Sequence, residues 1–177
     1  MGMGAQCALR GMIAAVMVLL GLAFIAWTGG PVDAAETAQS SAEAVLVVDG
    51  KIAGGKPAAF DLALLKSLPA VTIKTMTPWT DGEVAFQGVR LRDLLDRLGA
   101  EGDAVIAAAV DDYQAVIPNE DFRDYDVIVA YAMNGALMPP DNKGPLWIVY
   151  PLSEHPGLQK DLYYSRSVWQ LNRLTVQ

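Results

Sequence analysis

The feature that most constrains this chain is the rhythm of its apolar runs beyond residue 43, which are short and each closed by a turn former. Residues 44–48 end at Asp49-Gly50, residues 104–110 at Asp111-Asp112-Tyr113, and residues 127–132 at Met133-Asn134-Gly135. Runs of that length, punctuated by Gly, Asp and Asn, read as strands between turns. Further strands are expected over residues 71–75, 114–117, 146–150 and 168–176. The interleaved helices are short. One covers residues 60–68, with Asp61 near its N-cap and Pro69 after its end, and residues 119–122 form a capped helical turn. With no regular strand-helix-strand alternation and no internal repeat, the pattern predicts an α+β fold of mixed β-sheets with short helices, not a doubly wound sheet.

Residues 71–98 are the stretch around which the rest is organised. Val71, Thr72, Ile73 and Thr75 form a β-branched strand. Pro78, Trp79, Asp81 and Gly82 mark a turn, and a short apolar run through Phe86 leads into a helix. Leu91, Leu94, Leu95 and Leu98 recur at helical spacing, with Arg92, Asp93, Asp96 and Arg97 on the other face. Burying each leucine contributes about 1.5–3 kcal/mol, whereas an Asp93–Arg97 pair adds at most about 0.5 kcal/mol. The apolar stripe therefore holds this helix, and Gly99 is its expected C-cap glycine. A strand ending in a turn held by rigid elements is where sites are commonly built.

The first thirty-odd residues differ in kind. After Arg10, residues 11–28 carry no charge, a length at the lower limit for spanning a bilayer and long for a secretory apolar region. Val32-Asp33-Ala34-Ala35 offers small residues at signal-peptidase spacing. Residues 1–34 are thus expected to be a signal peptide cleaved near Ala34 or Ala35, with an uncleaved N-terminal membrane anchor as the alternative. Residues 35–43 are a linker and residues 44–177 the globular domain. The domain is expected to be periplasmic or secreted, or membrane-anchored and facing the periplasm, touching membrane only through residues 11–28. Cys7 is the single cysteine. Its loss on cleavage leaves no disulfide framework, no thiolate ligand and no cysteine nucleophile. The net charge of −7, with no basic run, excludes nucleic acid as an expected partner.

The usual catalytic patterns are absent. His155 is the one histidine, so a zinc site lacks ligands, and no Gly-x-Ser-x-Gly elbow accompanies it. Gly54-Gly55-Lys56 lacks the spacing of a phosphate-binding loop. Asp111-Asp112 has the form of a coupled acid/base pair, but turn formation between two strands is the more frequent role of such residues. No catalytic residue and no metal ligand is assigned.

Several motifs in order resemble one family. Trp79, then Phe86-Gln87-Gly88-Val89-Arg90-Leu91 and the leucine helix, is similar to the "W…W-x-G-V-x-L…LL" segment of the oxidoreductase molybdopterin-binding domain, the fold of sulfite oxidases. Asp111-Asp112-Tyr113 resembles its "D-G-Y", and Ala130-Tyr131-Ala132-Met133-Asn134-Gly135 its "A-Y-x-M-N-G". The stretch from Gly144 through Leu146 and Trp147 to Pro151 resembles "G-x-P-L-R-L-V-V-P", and Arg166-Ser167-Val168-Trp169 a "Lys-Ser-x-Lys-Trp" stretch. The resemblance spans roughly residues 44–176. It implies a molybdopterin cofactor and cofactor-facing positions at Thr75, Trp79, Asp112, Tyr113, Asn134, Lys143, Arg166 and Ser167.

Four departures qualify that implication. The family's molybdenum-binding cysteine lies four residues before the tryptophan, a position occupied here by Thr75, whose hard, poorly acidic hydroxyl cannot replace a soft thiolate. The arginine of "P-L-R" is Trp147, a lysine of the late basic stretch is Trp169, and Asp112 adds negative charge in place of glycine. All four point away from a dianionic cofactor, so none is expected to be held. The expected function is that of an exported relative without molybdenum redox catalysis. It would be a binding, sensing or accessory module for a small molecule or an envelope protein partner; Trp79, Trp147, Trp169 and Tyr113 either wall an aromatic cavity or, as is more usual for such residues, serve as ordinary core aromatics. The competing readings are a periplasmic oxidoreductase that holds molybdopterin without a protein thiolate, and a purely structural envelope protein.

Overall fold

A computed structural model describes residues 43–177. The uncharged run 11–28, Cys7, the cleavage site and all of the linker except its last residue lie outside the described residues. Among the described residues, two five-stranded sheets carry the fold. The first has the order β2-β1-β10-β5-β6, built from β1 (Leu46–Gly50), β2 (Ala58–Phe60), β5 (Ala104–Ala109), β6 (Gln114–Pro118) and β10 (Leu171–Val176). Its β1–β10 pair is parallel and its other pairs are antiparallel. The second runs β3-β4-β7-β8, from β3 (Ala70–Met76), β4 (Glu83–Arg90), β7 (Ile128–Met133) and β8 (Ala136–Leu137), and β9 (Trp147–Val149) also pairs with β7. Among the described residues four α-helices accompany the sheets: α1 (Leu62–Ser67), α2 (Leu91–Arg97), α3 (Asn119–Asp124) and α4 (Asp161–Arg166). The architecture is the expected α+β mixture.

The second sheet is covered on both faces, which explains why β7 and β9 are continuously apolar rather than alternating. Along β7, Val129 and Tyr131 enter the larger core while Ile128 and Ala130 enter a smaller one on the opposite face. Along β9, Ile148 faces the first core, and Trp147 and Val149 face the second. The larger core also takes Leu91, Leu94 and Leu95 of α2 and Val105, Ala107 and Ala109 of β5. Leu98 is only half-buried at the C-cap and packs against that core.

Local chemistry sets several boundaries as expected. The Asp61 carboxylate accepts from the Leu64 amide at 2.7 Å, capping α1, and Gly99 takes a positive φ after α2. The segment after Gly82 is a full strand rather than a short apolar run. It forms a hairpin with β3, in register from Ala70 opposite Val89 to Met76 opposite Glu83. Its register with β7 shifts between Gln87 and Gly88. At that bulge a Cβ on Gly88 would lie 2.2 Å from the Val129 carbonyl oxygen, so the glycine of this motif is required by the close approach of two backbones.

The Asp93–Arg97 pair does not form. Arg90 and Arg92 instead converge on Asp126, just before β7, with Arg90 Nε 3.1 Å from its carboxylate. Burial works to raise the Asp126 carboxyl, but hydrogen bonds and charge from Arg90 and Arg92 outweigh it and hold the group below its ordinary value.

Candidate functional site

Thr75, the second-last residue of β3, is fully buried. Its Oγ1 accepts from the Ser153 amide at 3.0 Å and lies 3.3 Å from the Ser153 hydroxyl. That hydroxyl in turn accepts from the Met76 amide at 2.9 Å. The threonine therefore latches the end of β3 to the loop after β9, and it lines neither of the two cavities described next.

The loop between β3 and β4 is knotted by its own hydroxyls. The Thr80 Oγ1 accepts from the Thr77 amide at 3.1 Å, and the Thr77 Oγ1 accepts from the Trp79 amide at 3.3 Å. This holds Trp79 over the smaller core, edge-on to Trp169 with ring centroids 5.0 Å apart and 6.0 Å from Trp147. Trp147 is a core residue, fully buried, and its indole N–H donates to the Ser167 carbonyl at 3.1 Å. Trp79 and Trp169 are half-buried. Trp79 separates two cavities by contributing to both.

The first, about 260 Å³, is lined by Trp79, Tyr113, Tyr164 and Trp169, with Asp111 and Ser167 among its polar neighbours. The second, about 440 Å³, lies against Trp79, Val84, Asn134, Met138 and Lys143. Of the residues expected to face a cofactor, the structure thus brings Trp79, Tyr113 and Ser167 to one cavity and Trp79, Asn134 and Lys143 to the other.

Several of these side chains are already committed. The Tyr113 hydroxyl donates to the Ser165 carbonyl at 2.8 Å, and the Ser167 hydroxyl to the Tyr163 carbonyl at 2.9 Å. The Asn134 Oδ1 accepts from the Ala85 amide at 3.1 Å, fastening the β7–β8 turn to β4. Arg166 donates to Asp121 at 2.7 Å, and the Tyr150 hydroxyl donates to the same carboxylate oxygen at 2.8 Å. Burial pushes the Tyr150 phenol far up, and the charge of Asp121 adds to it. Arg166 is therefore the counter-ion of a buried carboxylate. Lys143 has its Nζ 5.9 Å from the ring centroids of both Trp147 and Trp169.

Asp112 sits in the β5–β6 turn with φ of 66° and lines neither cavity. That left-handed conformation is the physical reason a glycine suits the middle of a "D-G-Y" turn. His155 is exposed, its ring edge-on to Tyr125 at 5.0 Å. Among the described residues, no three His, Cys, Asp or Glu side chains converge as a metal-ligand set, and no helix is long and apolar enough to cross a membrane.

Ser153 and Tyr164 were not legible as site residues. Ser153 lies 78 positions from Thr75 in a loop without a motif, and Tyr164 belongs to α4, which has no buried residue and hence no apolar stripe to announce it.

Comparison with known proteins places these features in context. A family model described as "oxidoreductase molybdopterin binding domain" matches residues 34–163. The uncharacterized oxidoreductase YuiH of Bacillus subtilis (strain 168) is 28% identical, over 58% of this chain and 63% of its own length. The chain thus spans less than two thirds of that relative. Among solved structures, the crystal structure of the sulfane dehydrogenase SoxCD from Paracoccus pantotrophus is similar with a TM-score of 0.56 and 20% identity, over 74% of this chain and 37% of that one. At that identity the likeness establishes the fold alone, which is that of the sulfite oxidase-like molybdopterin-binding domain.

Proposed function

The chain belongs to the oxidoreductase molybdopterin-binding domain family, and from that premise we propose that it works as a binding, sensing or accessory module without molybdenum redox catalysis. The observation that carries this reading is the state of Thr75. At the position where the resemblance puts a metal-binding thiolate stands a hydroxyl oxygen that is fully buried and hydrogen-bonded to Ser153. An alcohol oxygen is a hard and poorly acidic donor, and this one is already engaged, so it does not fit a molybdenum centre that takes a sulfur ligand from the protein. The surrounding charge supports the same reading. Arg166 is neutralised by Asp121, Lys143 lies over tryptophan rings, and the smaller cavity has Asp111 on its wall. A dianionic pterin phosphate finds few free cations there.

The module would act in the periplasm or outside the cell, delivered by residues 1–34 as a cleaved signal or held by residues 11–28 as an anchor, and would serve a small-molecule ligand or an envelope protein partner. A second reading, an oxidoreductase that holds molybdopterin without a protein thiolate, draws its support from the family match over residues 34–163. Metal and pterin analysis of the full chain, produced with its own N-terminal segment in a host that makes the molybdenum cofactor, separates the two. The first reading expects neither molybdenum nor pterin, and near-stoichiometric amounts would overturn it.

A further inference from the structure

We propose that the smaller cavity binds a small alkylated ammonium ion, held by the faces of Trp79, Tyr113, Tyr164 and Trp169 with Asp111 as its counter-charge. The inference rests on the reading of the domain as a binding module and names the class of ligand that module takes. The rings are set at steep angles, Trp79 to Trp169 at 87° and Trp79 to Tyr164 at 78°. Rings so arranged meet edge to face rather than in a stack, and all four aromatic side chains line the cavity. Two of the walls are fixed in place: the Tyr113 hydroxyl is tied to the Ser165 carbonyl, and Trp79 sits in the hydroxyl-knotted turn.

Aromatic walls that converge on a small space attract a cation through their negative ring faces, most of all one whose charge is spread over methyl groups and costs little to desolvate. Among the described residues Asp111 is the one carboxylate lining the cavity, and no Lys or Arg lines it. The Asp111 Oδ1 accepts from the Tyr113 amide at 3.2 Å, which orients the carboxylate, and among the described residues Asp111 takes part in no ion pair. Two basic side chains adjoining the lining residues are engaged elsewhere. Arg166 is paired with Asp121, and Lys143 lines the other cavity, with its Nζ 5.9 Å from the Trp169 centroid. That contact already places a cation against this tryptophan cluster within the protein itself. A volume of about 260 Å³ lies just below the usual range of ligand pockets, about 300–1,000 Å³, which suits a small ion, and the chain's net charge of −7 favours cations in its vicinity.

The test is calorimetric titration of the full chain with tetramethylammonium, with choline, and with 3,3-dimethylbutan-1-ol, the neutral isostere of choline. Saturable binding of the two cations is expected, at least tenfold tighter for choline than for its isostere. Asp111→Asn, which retains the turn-forming acceptor, is expected to weaken choline at least fivefold. Tyr113→Leu, at an exposed position, should do the same, with circular dichroism unchanged in both variants. Equal affinity for choline and the neutral isostere, or no saturable binding of either cation, overturns the proposal. Molybdenum content measured on the same preparation keeps the two claims apart. Ammonium binding beside stoichiometric molybdenum would refute the non-redox reading and leave the ammonium site standing. A metal-free protein that ignores both cations would refute the ammonium site alone.

Discussion

Replacing Thr75 by valine keeps the shape of the side chain and exchanges its hydroxyl for a methyl group. In the native structure that hydroxyl satisfies the Ser153 amide at 3.0 Å and meets the Ser153 Oγ and the Met76 carbonyl at 3.3 Å. Valine leaves the Ser153 amide without its acceptor in a partly buried corner. Stranding a donor costs about 1–3 kcal/mol, and the partial exposure of Ser153 argues for about 2 kcal/mol. For a domain of this size each kcal/mol lowers Tm by about 4 °C, so a fall of about 8 °C is expected in thermal melts of the purified chain. The urea midpoint should fall in proportion with an unchanged slope. Thr75→Ser is the control: it keeps the hydroxyl and deletes one methyl, which costs about 1 kcal/mol. The order wild type, then serine, then valine is the prediction. A valine variant as stable as wild type would refute the claim that the hydrogen bonds to Ser153, rather than packing, set what this position requires.

Gly88→Ala should cost about 3 kcal/mol or more, or abolish soluble expression, because its Cβ would lie 2.2 Å from the Val129 carbonyl and 2.6 Å from Ala130 Cα in the middle of the second sheet; a melt within about 1 kcal/mol of wild type contradicts the bulge geometry. Asp112→Gly relieves a left-handed aspartate and should raise stability by up to about 1 kcal/mol, the strain relief being partly offset by the entropy of an added glycine, with a lowered Tm as the refuting result. The Asp126 carboxyl is held below its ordinary value. The stability it contributes is therefore fully present above the unfolded aspartate pKa of about 3.9 and is lost as pH falls from there through the lower folded value. Asp126→Asn should flatten that acid limb in urea midpoints taken between pH 2 and 6, and an unchanged limb would discount the arginine pair.

What the sequence made legible follows physical locality. The strand β5 and the α2 helix are announced by contiguous or regularly spaced apolar residues, and the Asp61 cap by a neighbour three positions on. Elements that bury little went unannounced: β8 has two exposed residues, and α4 has no buried residue. Charge pairing follows the same division. Helical spacing suggested Asp93 with Arg97, but the fold carries Asp126 to within reach of Arg90 and Arg92, and tertiary approach decides the partner. The candidate site shows the same division. Trp79, Tyr113, Asn134, Lys143 and Ser167 reach the cavity walls, because short motifs sit at the turns that build a site. The latch of Thr75 by Ser153 and the engagement of Arg166 by Asp121 join residues 78 and 45 positions apart, and no local pattern encodes them.

The central claim, that this member of the family holds no molybdenum because position 75 is fully buried, tied to Ser153 and closed to a cofactor, is met most directly by counting molybdenum atoms per chain. Wild type and Thr75→Cys should be purified in parallel from a host that makes the cofactor and measured by plasma mass spectrometry. Because residue 75 is fully buried and lines neither cavity, the account predicts a blank for both proteins. Near one molybdenum per wild-type chain would contradict it outright, and metal in the cysteine variant alone would contradict its claim that the position is closed to a cofactor.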